Sequence, residues 1–238
     1  DGLVSKLGPL QTPIDPNNPY QMGRIDTGIM YDIVMKWDWG NSDSKDIYHD
    51  PETRKNSISF RSNITRLAET LIDEGQKEKA ITVLDLAMEK MPIETFGYYS
   101  LVIPIAAAYY RAGALDKAQK IVTTIASGYE EYMRYYAQWN SDEQLMLMED
   151  IVANVERYKS LLTEIIKAKD HKSMTALYDS FFESIMPFSY IYGKYDFYTQ
   201  LTPFVAALYD SDQVELAREL STEIAQQYIC LLYTSPSP

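Results

Sequence analysis

The chain has little of what most catalytic and metal chemistry needs. Its 238 residues include 1 cysteine and 2 histidines. A single cysteine excludes an internal disulfide and a thiolate metal cage. His49 and His171 stand in polar surroundings with no ligand-type spacing between them. A zinc site needs three or four converging donors, so no metal site and no cofactor is expected. No run of about 18 apolar residues occurs, so no segment here is expected to span a membrane. Basic residues are also scarce. Lys and Arg number 22 against 34 Asp and Glu, a formal charge of −12. That balance argues against nucleic acid or an anionic membrane surface as partner. The nucleophile elbow, the phosphate loop and the dinucleotide fingerprint are all missing. Carboxylate pairs such as Glu130-Glu131 and Glu149-Asp150 are adjacent in sequence. On a helix they point about 100° apart, which suits solvated faces better than acid–base catalysis. No catalytic residue is assigned.

What the chain does have is helical periodicity. From Asn63 to Pro92 it reads NITRLAETLIDEGQKEKAITVLDLAMEKMP. Ile64, Leu67, Ala68 and Leu71, then Ala80, Ile81, Leu84, Ala87 and Met88, recur at spacings of three and four. The pattern predicts two antiparallel helices joined at Glu74-Gly75-Gln76. Ala68 and Ala80 permit close approach, Gly75 supplies the left-handed turn and Pro92 ends the second helix.

A second copy runs from Tyr98 to Ala126, with Val102, Ile105, Ala106, Tyr109, Gly113, Ala118 and Val122 in the corresponding places. A weaker third copy, Leu201 to Ile224, matches Val102 to Ile125 at a constant offset of 99 and pairs Pro203 with Pro104. Proline at that register either kinks the helix or marks its first turn. Further helices are predicted over 114–137, 141–169 and 171–186, with Ser141 as an N-cap and Met186-Pro187-Phe188 as a break.

Residues 1–23, with Pro9, Pro13, Pro16 and Pro19, read as a strap. Arg24 to Trp39 reads as a helix with Ile25, Ile29, Val34 and Trp37 as core contacts, and 41–56 as a polar surface loop. No stretch reads as a strand. The 20 tyrosines fall mostly at helical spacing, which fits packing in helix grooves. Asn63-Ile64-Thr65 matches a glycosylation sequon but lies within a predicted helix.

The Ile64-to-Pro92 pattern resembles the tetratricopeptide (TPR) repeat, with Ile64 where an aromatic is usual. The resemblance implies an all-α fold, an antiparallel helix-pair array wound as a right-handed α-solenoid. The expected organisation is a strap, helix and loop over 1–56, packing on a repeat domain over 57–229. Residues 230–238, CLLYTSPSP, resemble a translated sequencing adapter read through at the end of a DNA fragment; the other reading is a disordered terminus. The start DGLVSKL, without Met, suggests a piece of a longer protein.

Arg24, Asp26, Tyr31, Asp32, Trp37 and Trp39 crowd into one short stretch. They form either a cap on the array or part of a binding surface, to which Trp139 and Tyr190 could add stacking rings. A larger resemblance runs through the same stretch. It begins with Thr12-Pro13-Ile14-Asp15-Pro16-Asn17, then Arg24-Ile25-Asp26-Thr27, Ile29-Met30-Tyr31-Asp32 and Val34-Met35-Lys36-Trp37. Trp39-Gly40-Asn41 and Arg61, Asn63 and Arg66-Leu67-Ala68 follow. In that order these residues resemble the soluble C-terminal region of a bacterial family of polytopic membrane proteins, whose membrane part is similar to protein O-mannosyltransferases.

The resemblance implies a non-catalytic domain on the periplasmic face of the cytoplasmic membrane. The catalytic carboxylate of such enzymes lies in an early loop of the membrane part, and membrane contact would come only through that part. The expected partner is a protein or peptide, or the membrane domain itself. A glycan-binding TPR-like protein of a nutrient-uptake system is the alternative, with Trp37, Trp39, Trp139 and Tyr190 as stacking residues. A self-contained soluble enzyme is the third reading, disfavoured by the missing triad, metal cluster and phosphate loop.

Overall fold

A computed structural model describes residues 23–192 and 200–234, with backbone alone for 227, 228 and 230–234. Among the described residues all regular structure is helical: α1 (Thr27–Val34), α2 (Pro51–Asp73), α3 (Lys77–Lys90), α4 (Ile93–Phe96), α5 (Ile103–Ala112), α6 (Leu115–Tyr136), α7 (Ser141–Met146), α8 (Met148–Lys167), α9 (His171–Ile185), α10 (Thr202–Asp210) and α11 (Val214–Thr234). Short 3-10 turns cover Tyr99–Leu101 and Met186–Ile191. The chain divides into two compact units, Asp1–Ala118 and Gln119–Pro238. In the first, α2 packs on α3 and both pack on α5; in the second, α8 packs on α7, α9 and α10, and α10 on α11. No described helix is long and apolar enough to cross a membrane.

Four corners between successive helices share one geometry. Each ends its helix on a residue with positive φ: Gly75 (79°), Gly113 (87°), Lys169 (57°) and Asp212 (59°). The amide of that residue donates to the carbonyl three back, at 2.9, 3.0, 2.9 and 3.0 Å to Ile72, Tyr110, Ile166 and Tyr209. The next amide donates five back, at 2.8, 2.9, 3.2 and 2.9 Å to Leu71, Tyr109, Ile165 and Leu208. This is the Schellman arrangement, which satisfies the last carbonyls of a helix while turning the chain sharply.

Counted from the left-handed residue, the buried positions also recur. Four before it lie Leu71, Tyr109, Ile165 and Leu208; five after it lie Ala80, Ala118, Met174 and Ala217. Eight after it lie Val83, Ile121, Leu177 and Leu220, and none of these twelve side chains is more than 9% exposed. Three of the corners are the ones that periodicity predicts. The α8–α9 corner is a fourth of the same kind, hidden because lysine holds the place of glycine.

Pro104 and Pro203 both sit in the first turn, in α5 and α10, so neither kinks a helix. The residues before those helices have nearly the same backbone, Val102 at φ −95° and ψ −18° and Leu201 at φ −91° and ψ −18°. Some of the described tyrosines pack in the core, Tyr109, Tyr129, Tyr136 and Tyr158 among them, while Tyr48, Tyr132, Tyr135, Tyr190 and Tyr209 are exposed. In the second unit Tyr129 stacks on Tyr158 at 5.6 Å, and Tyr158, Phe181 and Phe204 continue edge to face at 5.1 and 5.5 Å. Aromatic pairs prefer this offset or T-shaped contact because ring faces are negative and ring edges positive.

Several predicted boundaries move. The helix expected over Arg24 to Trp39 covers only Thr27–Val34, and Ile29 is 61% exposed rather than in the core. The expected loop over 41–56 ends at Asp50, because Asp50 caps α2 and Pro51 occupies its first turn. The boundary drawn at 56/57 therefore falls inside α2. Asn140 rather than Ser141 caps α7, in a capping box with Glu143. Leu147 separates α7 from α8 where one helix was expected. The sequon is helical, with the Asn63 amide donating to the Ser59 carbonyl and Thr65 buried. Helix α11 runs on past Cys230 to Thr234. The strap's prolines and residues 193–199 of the aromatic stretch after Phe188 lie outside the described residues.

Candidate functional site

A hollow of the first unit is built on the start of α2. The Asp50 carboxylate accepts from the Glu52 and Thr53 amides at 2.8 and 2.9 Å and from the Thr53 hydroxyl at 2.9 Å. The Thr53 bonds hold it below the usual carboxylate range. Capped in this way, the first turns of α2 present Thr53, Asn56, Ser57 and Phe60 to the hollow.

The facing wall comes from the segment after α1. That helix stops at Val34, and Gly40 and Asn41 then take left-handed conformations at φ 56° and 60°. The reversal brings Trp37 and Trp39 onto Phe60. Trp37 and Trp39 are 5.5 Å apart, and they lie 5.4 and 5.6 Å from Phe60, with planes inclined by 50° to 89°. The rings form a corner rather than a stack.

The third wall is pinned to the end of α3. The Ser42 hydroxyl donates to the Lys90 carbonyl at 2.7 Å, and His49 Nε2 lies 3.0 Å from the Ser42 carbonyl. The His49 ring packs on Phe96 at 4.7 Å. Together with Met91 these groups enclose a half-open cleft of about 410 Å³. Aromatic rings make up much of its lining, and its lining residues Asp38 and Asn56 are exposed.

Arg61 underlies this wall. Its side chain is wholly buried and donates to the Gly97 carbonyl at 2.6 Å and the Met91 carbonyl at 2.8 Å. Burial pushes the guanidinium down to about 10. The groups it bonds are backbone carbonyls, so it acts as a staple for the turn that carries Met91 and Phe96.

The structure sorts the predicted residues into two groups. Trp37 and Trp39 come together in the cleft. Asp26 caps α1 by accepting from the Ile29 amide at 3.0 Å. Tyr31 takes the Lys79 ammonium 5.3 Å from its ring centroid. Arg24 and Asp32 are exposed and do not line the cleft. In the second unit the Tyr190 hydroxyl donates to Gln144 at 2.8 Å, and the Gln144 amide donates to the Trp139 carbonyl at 2.9 Å. Trp139 and Tyr190 thus bracket α7, and both keep exposed ring surface.

Sequence reasoning missed Phe60, His49, Phe96, Asn56 and Arg61. The signal that could have found several of them is Asp50-Pro51-Glu52, a cap, a first-turn proline and a first-turn acid that start α2 early. Hollows also occur among the described residues of the second unit. One is an apolar groove of about 680 Å³ between α10 and α11, lined by Val205, Tyr209, Ile224 and Ile229. Another, of about 230 Å³, is lined by His171, Tyr178, Asp179, Glu219 and Glu223. No group of three or more described His, Cys, Asp or Glu residues could hold a metal ion. No family model, curated protein or solved structure matches the chain.

Proposed function

We propose that this chain is a non-catalytic helical-repeat binding module, a TPR-like array wound as a right-handed α-solenoid. It would form the periplasmic part of a membrane glycosyltransferase-like protein, resembling the protein O-mannosyltransferases, and hold an acceptor or partner protein there. The observation that carries the module reading is the recurrence of one corner geometry at Gly75, Gly113, Lys169 and Asp212. Stacked helix pairs expose a continuous surface wide enough for an extended polypeptide. The formal charge of −12 favours basic segments in the partner. Attachment to a membrane enzyme rests on the residue order from Thr12 to Asn41 and from Arg61 to Ala68.

A photo-crosslinking amino acid placed at Asn56, and separately at exposed Lys172, tests this in cells expressing the intact gene. Discrete protein adducts are expected. Absence of adducts from both positions, or glycosyl transfer by the purified chain alone, would overturn the reading. The Trp37–Trp39–Phe60 cleft favours a second reading, a glycan-binding protein of a nutrient-uptake system. The intact gene separates the two. Transmembrane helices encoded upstream support the first, and a lipoprotein signal directly before Asp1 supports the second.

A further inference from the structure

We propose that the cleft at Trp37, Trp39 and Phe60 binds a neutral pyranoside, a single hexose ring or a disaccharide. The assignment rests on the reading of the chain as a binding module and adds the ligand class. A pyranose ring is chemically two-sided. Its faces expose C–H bonds, weakly positive and apolar, and its edge carries hydroxyl groups. A matching site needs aromatic surface below and hydrogen-bonding groups around the mouth. The cleft has that division. Three inclined rings line it with Met91 and Phe96, and its exposed lining residues carry the Asn56 amide, the Asp38 carboxylate and the Thr53 hydroxyl. One Asp38 oxygen also accepts from the Gly40 amide at 3.0 Å, and the Thr53 hydroxyl donates to Asp50 and keeps its acceptor side.

Ring faces carry negative quadrupole charge, so they attract C–H edges of a sugar as they attract the edges of another ring. Asp38 accepts and Asn56 both donates and accepts, which suits adjacent hydroxyls. Asp38 stands on the loop after α1 and Asn56 on α2, so the hydrogen-bonding groups come from two walls of the cleft.

Charge and size narrow the class. Asp38 in the lining and the overall formal charge of −12 disfavour a phosphorylated or uronic sugar. The volume of about 410 Å³ lies at the small-molecule scale and admits one or two rings rather than a folded partner. The cleft is preformed. The Ser42 bond to the Lys90 carbonyl, the His49 contact with Phe96 and the Arg61 staple fix one wall without a ligand, and the Asp50 cap fixes the start of α2 that forms another. Preorganisation of this kind lowers the entropic cost of binding.

The test titrates the purified chain with methyl α-mannopyranoside, methyl β-glucopyranoside, maltose and lactose, reading tryptophan fluorescence and saturation-transfer NMR. At least one neutral sugar is expected to bind saturably, with a dissociation constant of about 1 mM or below. Trp39→Ala is expected to weaken it at least about ten-fold. Asn56→Ala, at an exposed helix position, guards against a folding artefact and is expected to weaken binding at an unchanged melting temperature. Glucuronate and an aromatic-rich peptide complete the panel. No saturable sugar binding, binding unaffected by both substitutions, or binding of the peptide alone would overturn the proposal. Protein adducts at Asn56 without sugar binding would sink the sugar assignment and leave the module reading standing. Sugar binding without protein adducts would sink the partner-protein reading and leave the glycan-binding reading standing with the sugar assignment.

Discussion

Lys169 and Asp212 occupy the same left-handed position at two different helix corners, and their side chains meet at 3.6 Å. The pair is exposed, at 53% and 91%, so water and salt screen it and it adds about 0.5 kcal/mol or less. The backbone conformation costs more. A side chain at φ near +57° crowds its own carbonyl, a penalty of about 1 kcal/mol that glycine avoids.

Lys169→Gly is therefore expected to stabilise the chain even though it breaks an ion pair. The net gain is about 0.5 kcal/mol, or a rise of about 1–2 °C in melting temperature. A thermal scan of the variant beside the parent checks the sign. A fall would mean that the ion pair outweighs the backbone term.

The same two residues explain what could be read in the sequence. Gly75 and Gly113 mark their corners openly, and the alternation of small and large residues around them follows the helical period. So α3, α5, α6 and the C-terminal half of α2 were legible, whereas the start of α2 at Pro51 was read as loop. At Asp212 the left-handed residue is not glycine, and only the weaker third copy at an offset of 99 from Gly113 points to the corner. At Lys169 only the hydrogen bonds reveal that the corner belongs with the others. The cleft was half legible. Trp37 and Trp39 are conspicuous by type, but periodicity wrongly extends α1 through them. Two consecutive left-handed residues, Gly40 and Asn41, cause the turn that brings them to Phe60. His49, Phe96 and Arg61 reach the site through contacts distant in sequence, which a one-dimensional pattern does not encode.

Asp170 closes the α8–α9 corner and is only 7% exposed. Its carboxylate accepts from the Ser173 amide at 3.1 Å, the Ser173 hydroxyl at 2.6 Å and the Gln119 amide at 3.0 Å. Asp170→Ala removes an N-cap and leaves buried donors unpaired, so a loss of about 2–3 kcal/mol is expected. Asp170→Asn keeps the cap oxygen and is expected to cost about half of that. Urea unfolding of the two variants measures the difference. Equal stability of both with the parent would show that the corner does not depend on this side chain.

Alkaline pH is expected to destabilise the fold. Burial holds the Tyr109, Tyr158 and Tyr178 hydroxyls above the ordinary tyrosine range, and burial with Glu156 nearby pushes Tyr192 up to about 12. Each keeps its proton in the fold at a pH where the unfolded chain has lost it. The stabilisation is complete below the unfolded value of about 10 and disappears as pH rises from there through the folded values. Tyr158 also donates to Glu130 at 3.0 Å. Tyr158→Phe is expected to lower stability by about 1 kcal/mol at neutral pH, and to flatten the alkaline decline. Urea midpoints across the alkaline range decide this, since an unchanged slope would remove Tyr158 as a contributor.

Arg61 offers the sharpest link between packing and the cleft. Its guanidinium lies in the interior, and its strong bonds go to the Gly97 and Met91 carbonyls. Arg61→Met keeps most of the stem's volume while removing both bonds. Two buried acceptors then lose their donors, which costs about 2–4 kcal/mol, less whatever is regained by no longer burying a charge. The net loss should be about 2 kcal/mol, enough to lower the urea midpoint without unfolding the chain. Met91 and Phe96 sit on the stapled turn and line the cleft. Pyranoside affinity should therefore fall along with stability, although Arg61 itself does not line the cleft. Asn56→Ala separates the two effects, because it alters the lining and leaves the staple intact. If Arg61→Met lowers stability and leaves sugar affinity unchanged, the turn holds its shape without the staple, and Arg61 serves the core alone.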